Sequence, residues 1–305
     1  MKKKNIIKII KAIATRITFF KILVYPLRVI KLLVLSPISS REKQITSNLS
    51  NLLVDDILAQ VNEFKGKFYI SPSSALFQRL ALYNSYEPDL TKIVKQILDP
   101  HKDIIDIGAN IGFYTVLFQK VINKDKKVLA IEPASKALKR LYQNLTINQS
   151  NENVIVFEGG VSDTIGKLEL KTINGREEYS TLGSVIHPAS HETSFVTELI
   201  EISTVDLLVK KYSLTPGFVK IDVEGMEPRV LQGMQETIRV HRPIILMEWD
   251  EFLLIQNKFI PRDIIQWLEG FGYKLLDPVY PGFQPENNMI CIPAEVCNIL
   301  YPSLQ

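Results

Sequence analysis

The fold predicted for residues 101–305 is a doubly wound, Rossmann-like α/β sheet. Three observations predict it. Short apolar runs alternate with amphipathic helical stretches from Asp103 onward. A turn bearing Gly108 and Gly112 follows the first run. Acidic residues stand at the ends of the runs, at Asp106, Glu132, Asp222 and Glu248. Parallel strands are buried on both faces by their crossover helices, so they read as apolar runs. Ligands of such sheets bind beyond the carboxyl ends of the strands, where strand order reverses.

Taken in order, residues 1–46 form a basic, apolar-rich segment and residues 47–100 a helical prelude. Ser47 to Phe64 reads as a helix, with Leu49, Leu52, Leu53, Ile57, Leu58 and Val61 on one face. Phe68 to Ile70 reads as a short strand, and Leu76 to Leu82 and Leu90 to Leu98 as helices. Strands follow at Asp103–Ile107, Lys127–Ile131 and Val154–Phe157, separated by helices at Phe113–Ile122 and Ala137–Ile147. Leu168–Leu170 and Leu199–Ile202 read as strands of an inserted hairpin, with a polar, strand-poor loop from Thr172 to Thr197. Val205–Tyr212, Arg229–Val240 and Ile264–Leu268 read as helices. Strands fall at Phe218–Ile221, Ile244–Glu248, Tyr273–Leu276 and Met289–Ile292.

Charge excludes some partners. Residues 1–44 hold eleven Lys/Arg against Glu42, a balance of +10; the remaining 25 basic and 32 acidic residues give −7. A mildly acidic body argues against a nucleic-acid-binding core. Interrupted by Lys8, Lys11, Arg16, Lys21, Arg28 and Lys31, the first segment is too charged to span a bilayer. Two readings stay open for it: a basic amphipathic helix on an anionic membrane surface, or a helical cap on the folded body. Cys291 and Cys297 make neither a disulfide framework nor a zinc site. Reduced thiols fit a cytoplasmic protein, peripheral at the inner membrane surface on the first reading.

Asp106-Ile107-Gly108-Ala109-Asn110-Ile111-Gly112 is a strand-to-helix turn without the G-x-G-x-x-G triplet of dinucleotide sites or a phosphate-binding G-x-x-x-x-G-K-[ST]. A carboxylate at the mouth of that turn repels a pyrophosphate and attracts a cation. S-adenosyl-L-methionine carries an ammonium and a sulfonium and no phosphate. Glu132 follows Asp106 by 26 residues and ends the second strand, where an acid accepts ribose hydroxyls.

These residues, with Val219-Lys220-Ile221-Asp222-Val223-Glu224-Gly225-Met226-Glu227, resemble the FkbM-type methyltransferase family over roughly residues 85 to 277. The resemblance implies a seven-stranded class I methyltransferase sheet and O-methylation of sugars or natural products. It implies that Asp106, Gly108, Asn110 and Gly112 line the methionine end of the cofactor and that Glu132 holds the ribose. Gly160, Val161, Ser162 and Asp163 occupy the adenine side, although Gly159-Gly160-Val161 departs from the family's usual wording.

Lys220, Asp222 and Glu224 alternate at the end of the fourth strand, so they share a face and form an acid/base and orienting cluster. A local ion pair with a helix cap is the plainer reading. Glu248 and Asp250 with Asp222 offer oxygen ligands for a hard cation; strand-end carboxylates are the favoured reading, and no metal is assigned. His187 and His191 lack the helix and glutamate of a zinc motif. Arg176 to Ser180, in the polar loop, face an acceptor bearing a hydroxyl, whether a small molecule or a glycan. Two alternatives remain: N-methylation of a small molecule, and a non-catalytic membrane-surface module on the same scaffold.

Overall fold

The computed structural model describes residues 22–24, 28–30, 56–83, 85–173, 176–181, 195–279 and 287–300. By backbone contacts the chain divides into two compact units, Met1–Pro88 and Asp89–Gln305.

The first unit holds a four-stranded antiparallel sheet in the order β2-β1-β3-β4, built from β1 (Ile22–Val24), β2 (Arg28–Ile30), β3 (Ile57–Val61) and β4 (Gly66–Ile70). Ile57, Ala59 and Val61 are buried and the residues between them are not, a period of two that makes a one-sided strand. The helix expected over Ser47–Phe64 is therefore corrected over Ile57–Val61. The expected N-terminal helix is likewise corrected at Ile22–Val24 and Arg28–Ile30, which pair as strands. The rest of residues 1–55 lies outside the described residues. Helix α1 (Ala75–Tyr83) begins after Ser74, whose hydroxyl accepts the Phe77 N–H at 3.1 Å.

Helix α2 (Pro88–Ile97) leads into the second unit. There a seven-stranded sheet runs β14-β15-β13-β12-β5-β6-β7. Its strands are β5 (Asp103–Ile107), β6 (Val128–Glu132), β7 (Val154–Glu158), β12 (Pro216–Ile221), β13 (Ile244–Glu248), β14 (Tyr273–Leu276) and β15 (Asn288–Pro293). Neighbours from β7 to β13 are parallel, and β15 is antiparallel to both β13 and β14. The seven-stranded expectation is met. Strand order reverses between β5 and β12, which creates the crevice for a ligand.

Helices α3 (Phe113–Val121), α4 (Ser135–Ile147), α5 (Val205–Tyr212) and α9 (Pro261–Gly270) cover the sheet. Phe118 of α3 packs edge-on against Phe218 of β12, with ring centroids 5.6 Å apart. The expected helix Arg229–Val240 is two helices, α6 (Glu227–Gln232) and α7 (Gln235–His241). Gly233 and Met234 separate them, and a Cβ at Gly233 would collide with the Ser162 carbonyl.

An insertion after β7 forms a second sheet, β10-β9-β11-β8, from β8 (Gly160–Val161), β9 (Gly166–Ile173), β10 (Arg176–Thr181) and β11 (Phe195–Ser203). The strand-poor reading of Thr172–Thr197 is corrected here: Arg176–Thr181 pairs with β9 as an edge strand. Residues 182–194, including His187 and His191, lie outside the described residues. Cys291 and Cys297 are free thiols. Among the described residues no helix is long and apolar enough to cross a membrane.

Candidate active site

The site is assembled at the carboxyl ends of β5, β6, β12 and β13. The β5–α3 turn is wound tightly: Gly108, Asn110 and Gly112 all have positive φ, at 75°, 50° and 88°. Gly108 and Ala109 donate their backbone N–H groups to the Ile131 carbonyl at 3.0 Å. A Cβ on Gly108 would strike the Asp222 carbonyl oxygen, and one on Gly112 would strike Leu141. The two glycines are thus required by the close approach of β12 and α4 as well as by their backbone angles.

Asp106 departs from the expected mouth position. It lies beneath the turn and is wholly buried. One carboxylate oxygen accepts the Thr115 hydroxyl at 2.5 Å, while Oδ1 has no hydrogen-bond partner among the described residues. Burial raises its carboxyl above the usual range, and Lys220 and Thr115 oppose that rise.

Glu132, also buried, accepts the Ala134 N–H on Oε1 at 2.8 Å and the Asn110 N–H on Oε2 at 2.7 Å. It therefore ties the end of β6 to the glycine turn. Burial pushes its carboxyl up to about 7, against the pull of those two N–H donors.

Val161 ends β8, and Ser162 and Asp163 follow it. Val161 is buried in the core, and the Ser162 N–H bonds the Ser203 carbonyl. Asp163 accepts from Ser162 Oγ at 2.9 Å and pairs with Arg229 at 2.6 Å. Its carboxylate is committed to holding α6, so this trio has a structural account of its own. The backbone just before it stays next to the site, because the Gly159 N–H bonds the Glu132 carbonyl at 3.1 Å.

Lys220 and Asp106 are register partners on adjacent strands. Lys220 is buried, bonds Asp222 Oδ2 at 2.8 Å and lies 5.1 Å over the Tyr114 ring. The Asp222 side chain is 44% exposed, so it remains reachable by a ligand. The expected shared strand face is not formed, because Asp222 and Glu224 both lie beyond β12; Lys220 and Asp222 are joined by their hydrogen bond instead. Strand β12 stops at Ile221, and Glu224 sits in a turn with φ 55°, followed by Gly225 at 86°. Glu227 organises that turn by accepting the Val223 and Gly225 N–H groups on Oε1, each at 3.2 Å. Burial pushes Glu227 up to about 7.

The turn carries Glu224 to Glu248. One carboxylate oxygen from each of Asp222, Glu224 and Glu248 lies within 4.8 Å of the others. Burial first, then the charges of Asp222, Glu224 and Glu227, raise Glu248 well above the usual carboxylate range. Asp250 stands apart from this group: its Oδ1 caps α8 (Glu251–Gln256) by accepting the Leu253 N–H. Sequence reasoning had passed over Thr115, Tyr114 and Glu227. Their signal was position: Thr115 and Tyr114 follow Gly112 in the first turn of α3, and Glu227 ends the motif that begins at Val219.

These features can be set against known proteins. Residues 106–275 match the model of the methyltransferase FkbM domain. This chain belongs to the FkbM methyltransferase family. The matched span runs from Asp106 into β14 and so takes in every site residue above. Among curated proteins the chain is similar to methyltransferase sdnD of Sordaria araneosa, at 26% identity over 198 residues, covering 54% of this chain and 76% of that protein. It is also similar to the hexuronic acid methyltransferase AglP of Haloferax volcanii, at 25% identity over 187 residues, covering 60% of this chain and 70% of that protein. Among solved structures it aligns with methyltransferase FkbM from Methylobacillus flagellatus, with 15% identity and a TM-score of 0.45. That alignment covers 82% of this chain and 59% of the solved chain.

Proposed function

We propose that this FkbM-family chain is an S-adenosyl-L-methionine-dependent O-methyltransferase whose acceptor is a hydroxyl of a sugar or similar small molecule. The observation that carries the reading is the pair of buried carboxylates, Asp106 and Glu132, flanking a glycine turn with no phosphate-binding pattern. Asp106, closed to solvent, supports the turn from behind through Thr115, and Glu132 has the acceptor chemistry for ribose hydroxyls. Gly108, Asn110 and Gly112 keep the turn low enough for close backbone approach.

When bound, S-adenosyl-L-methionine supplies an electrophilic methyl group on a sulfonium leaving group. This chain then has to align an acceptor oxygen and take its proton, and alignment is the larger contribution. Asp222 is the partly exposed carboxylate at the switch point, and Lys220 fixes its orientation. As the acceptor oxygen bonds to the methyl carbon, the carbon–sulfur bond breaks and its electron pair stays on sulfur; the hydroxyl proton goes to Asp222 or Glu224. Similarity to AglP, a hexuronic acid methyltransferase, favours a sugar acceptor.

Calorimetry with S-adenosyl-L-methionine, followed by transfer of a tritiated methyl group to a panel of sugars and uronic acids, tests the reading. Expected are saturable heat, competition by S-adenosylhomocysteine, and label in base-stable sugar ethers. Asp106→Ala, which leaves the Thr115 hydroxyl without its acceptor, should loosen the turn and weaken cofactor binding by about tenfold. A folded protein giving no heat with either nucleoside would sink the proposal. Label appearing on nitrogen instead would overturn the O-methyl assignment alone.

A further inference from the structure

The gathering of Asp222, Glu224 and Glu248 has a chemistry of its own. All three donors are oxygens, which suits a hard cation rather than zinc or copper. Ligand oxygens on opposite sides of such a cation stand roughly 4–5 Å apart, and these three lie within 4.8 Å of one another. Carboxylates often cluster at strand ends without an ion, so the cluster alone decides nothing.

The second observation is Glu248 itself. It ends β13, flanked by β12 on one side and by Asn288 of β15 on the other. Its Oε2 is closed to solvent and has no hydrogen-bond partner among the described residues. A buried, unpaired carboxylate oxygen is costly unless something cationic faces it. Lys220 is the site's buried ammonium, and it bonds Asp222. Glu227 and Asp106, the other buried carboxylates nearby, accept from backbone N–H groups and from the Thr115 hydroxyl respectively rather than facing Glu248. The cluster thus sets three carboxylates around one ammonium.

We infer that Asp222, Glu224 and Glu248 bind a divalent cation of the Mg²⁺ or Mn²⁺ class, which holds the acceptor oxygen. The role rests on the methyl-transfer reading above; the binding does not. With the ion in place, the three carboxylates act as its ligands, and water replaces Asp222 and Glu224 as the proton acceptor. A hydroxyl bound to the ion is more acidic, so its proton passes to water while its oxygen bonds to the methyl carbon. The ion also removes the repulsion that an acidic cluster would exert on a uronic acid acceptor.

The test uses the full chain, stripped with chelator and titrated with Mn²⁺ while the free-ion paramagnetic resonance signal is followed. Expected is one Mn²⁺ bound per chain, displaced by excess Mg²⁺. Glu248→Gln and Glu224→Gln should each bind at least tenfold more weakly. Glu236→Gln, at an exposed carboxylate on α7 paired with Arg239, should bind as the parent does. Mn²⁺ should raise the melting midpoint of the parent and leave that of Glu248→Gln unmoved. The inference is overturned if the parent leaves the Mn²⁺ signal undiminished at millimolar ion, or if both ligand variants bind as tightly as the parent. Calorimetry with S-adenosyl-L-methionine on the same samples separates the two readings. Cofactor heat without Mn²⁺ binding defeats the ion site alone; Mn²⁺ binding without cofactor heat upholds the ion site and defeats the cofactor assignment.

Discussion

Glu132 and Glu227 are both buried, both pushed up to about 7, and differ in how their oxygens are used. Glu227 takes both of its backbone donors on Oε1, so Glu227→Gln keeps those bonds and removes only the charge. A carboxyl whose folded value lies above its ordinary 4.5 stabilises the fold at low pH and loses that contribution as pH rises toward 7. Urea unfolding should therefore show Glu227→Gln gaining on the parent between pH 5 and pH 8; a constant difference would show that Glu227 titrates normally. Glu132 uses one oxygen for each donor, so an amide there would point N–H at N–H. Glu132→Gln is accordingly expected to open the glycine turn and weaken S-adenosyl-L-methionine by more than tenfold in calorimetry. Gly108→Ala meets both a positive φ and the Asp222 carbonyl. Strain of about 1–3 kcal/mol plus that collision should lower the thermal midpoint by roughly 5–10 °C; a shift near zero would mean the turn is looser than described.

At the level of elements, β5 is clamped at the end remote from the site. Asp103 accepts the Lys127 N–H at 2.8 Å, and the N–H and hydroxyl of Thr215 at 2.6 and 3.2 Å, joining the starts of β5, β6 and β12. Asp103→Ala leaves buried donors unmet and should cost roughly 2–4 kcal/mol of stability. Because the site lies at the other end of the strand, cofactor affinity in the surviving folded protein should change by no more than a few-fold. A large loss of affinity at unchanged stability would contradict that division. The parallel strands were legible in sequence because each is apolar on both faces, as Ile104, Ile105 and Ile107 are. Strand β3 was not: Ile57, Leu58 and Val61 satisfy a helical spacing as well as the two-residue period that actually buries Ile57, Ala59 and Val61. The break at Gly233 was hidden for another reason, since it depends on Ser162, which is remote in sequence. Asp106 and Glu132 could be read from consecutive strand ends. Glu248 joined Glu224 only once the left-handed turn at Glu224 and Gly225, held by Glu227, was seen.

Across the whole molecule the main asymmetry is electrical: +10 over residues 1–44 against −7 over the rest. At Ile22–Val24 and Arg28–Ile30 the basic segment is extended rather than helical. Each lysine or arginine near an anionic surface contributes about 1 kcal/mol of attraction, screened within a Debye length. The full chain is expected to sediment with phosphatidylserine-containing vesicles at low salt, to stay in solution with neutral vesicles, and to be released as salt is raised toward about 0.5 M. Reversing Lys2, Lys3, Lys4 and Lys8 to glutamate lowers the local balance by eight and should abolish co-sedimentation. S-adenosyl-L-methionine binding should be untouched by those changes, because every residue of the proposed cofactor pocket lies in the second unit. Salt-insensitive binding, or binding retained by the reversed chain, would transfer the attraction from the lysines to apolar contact.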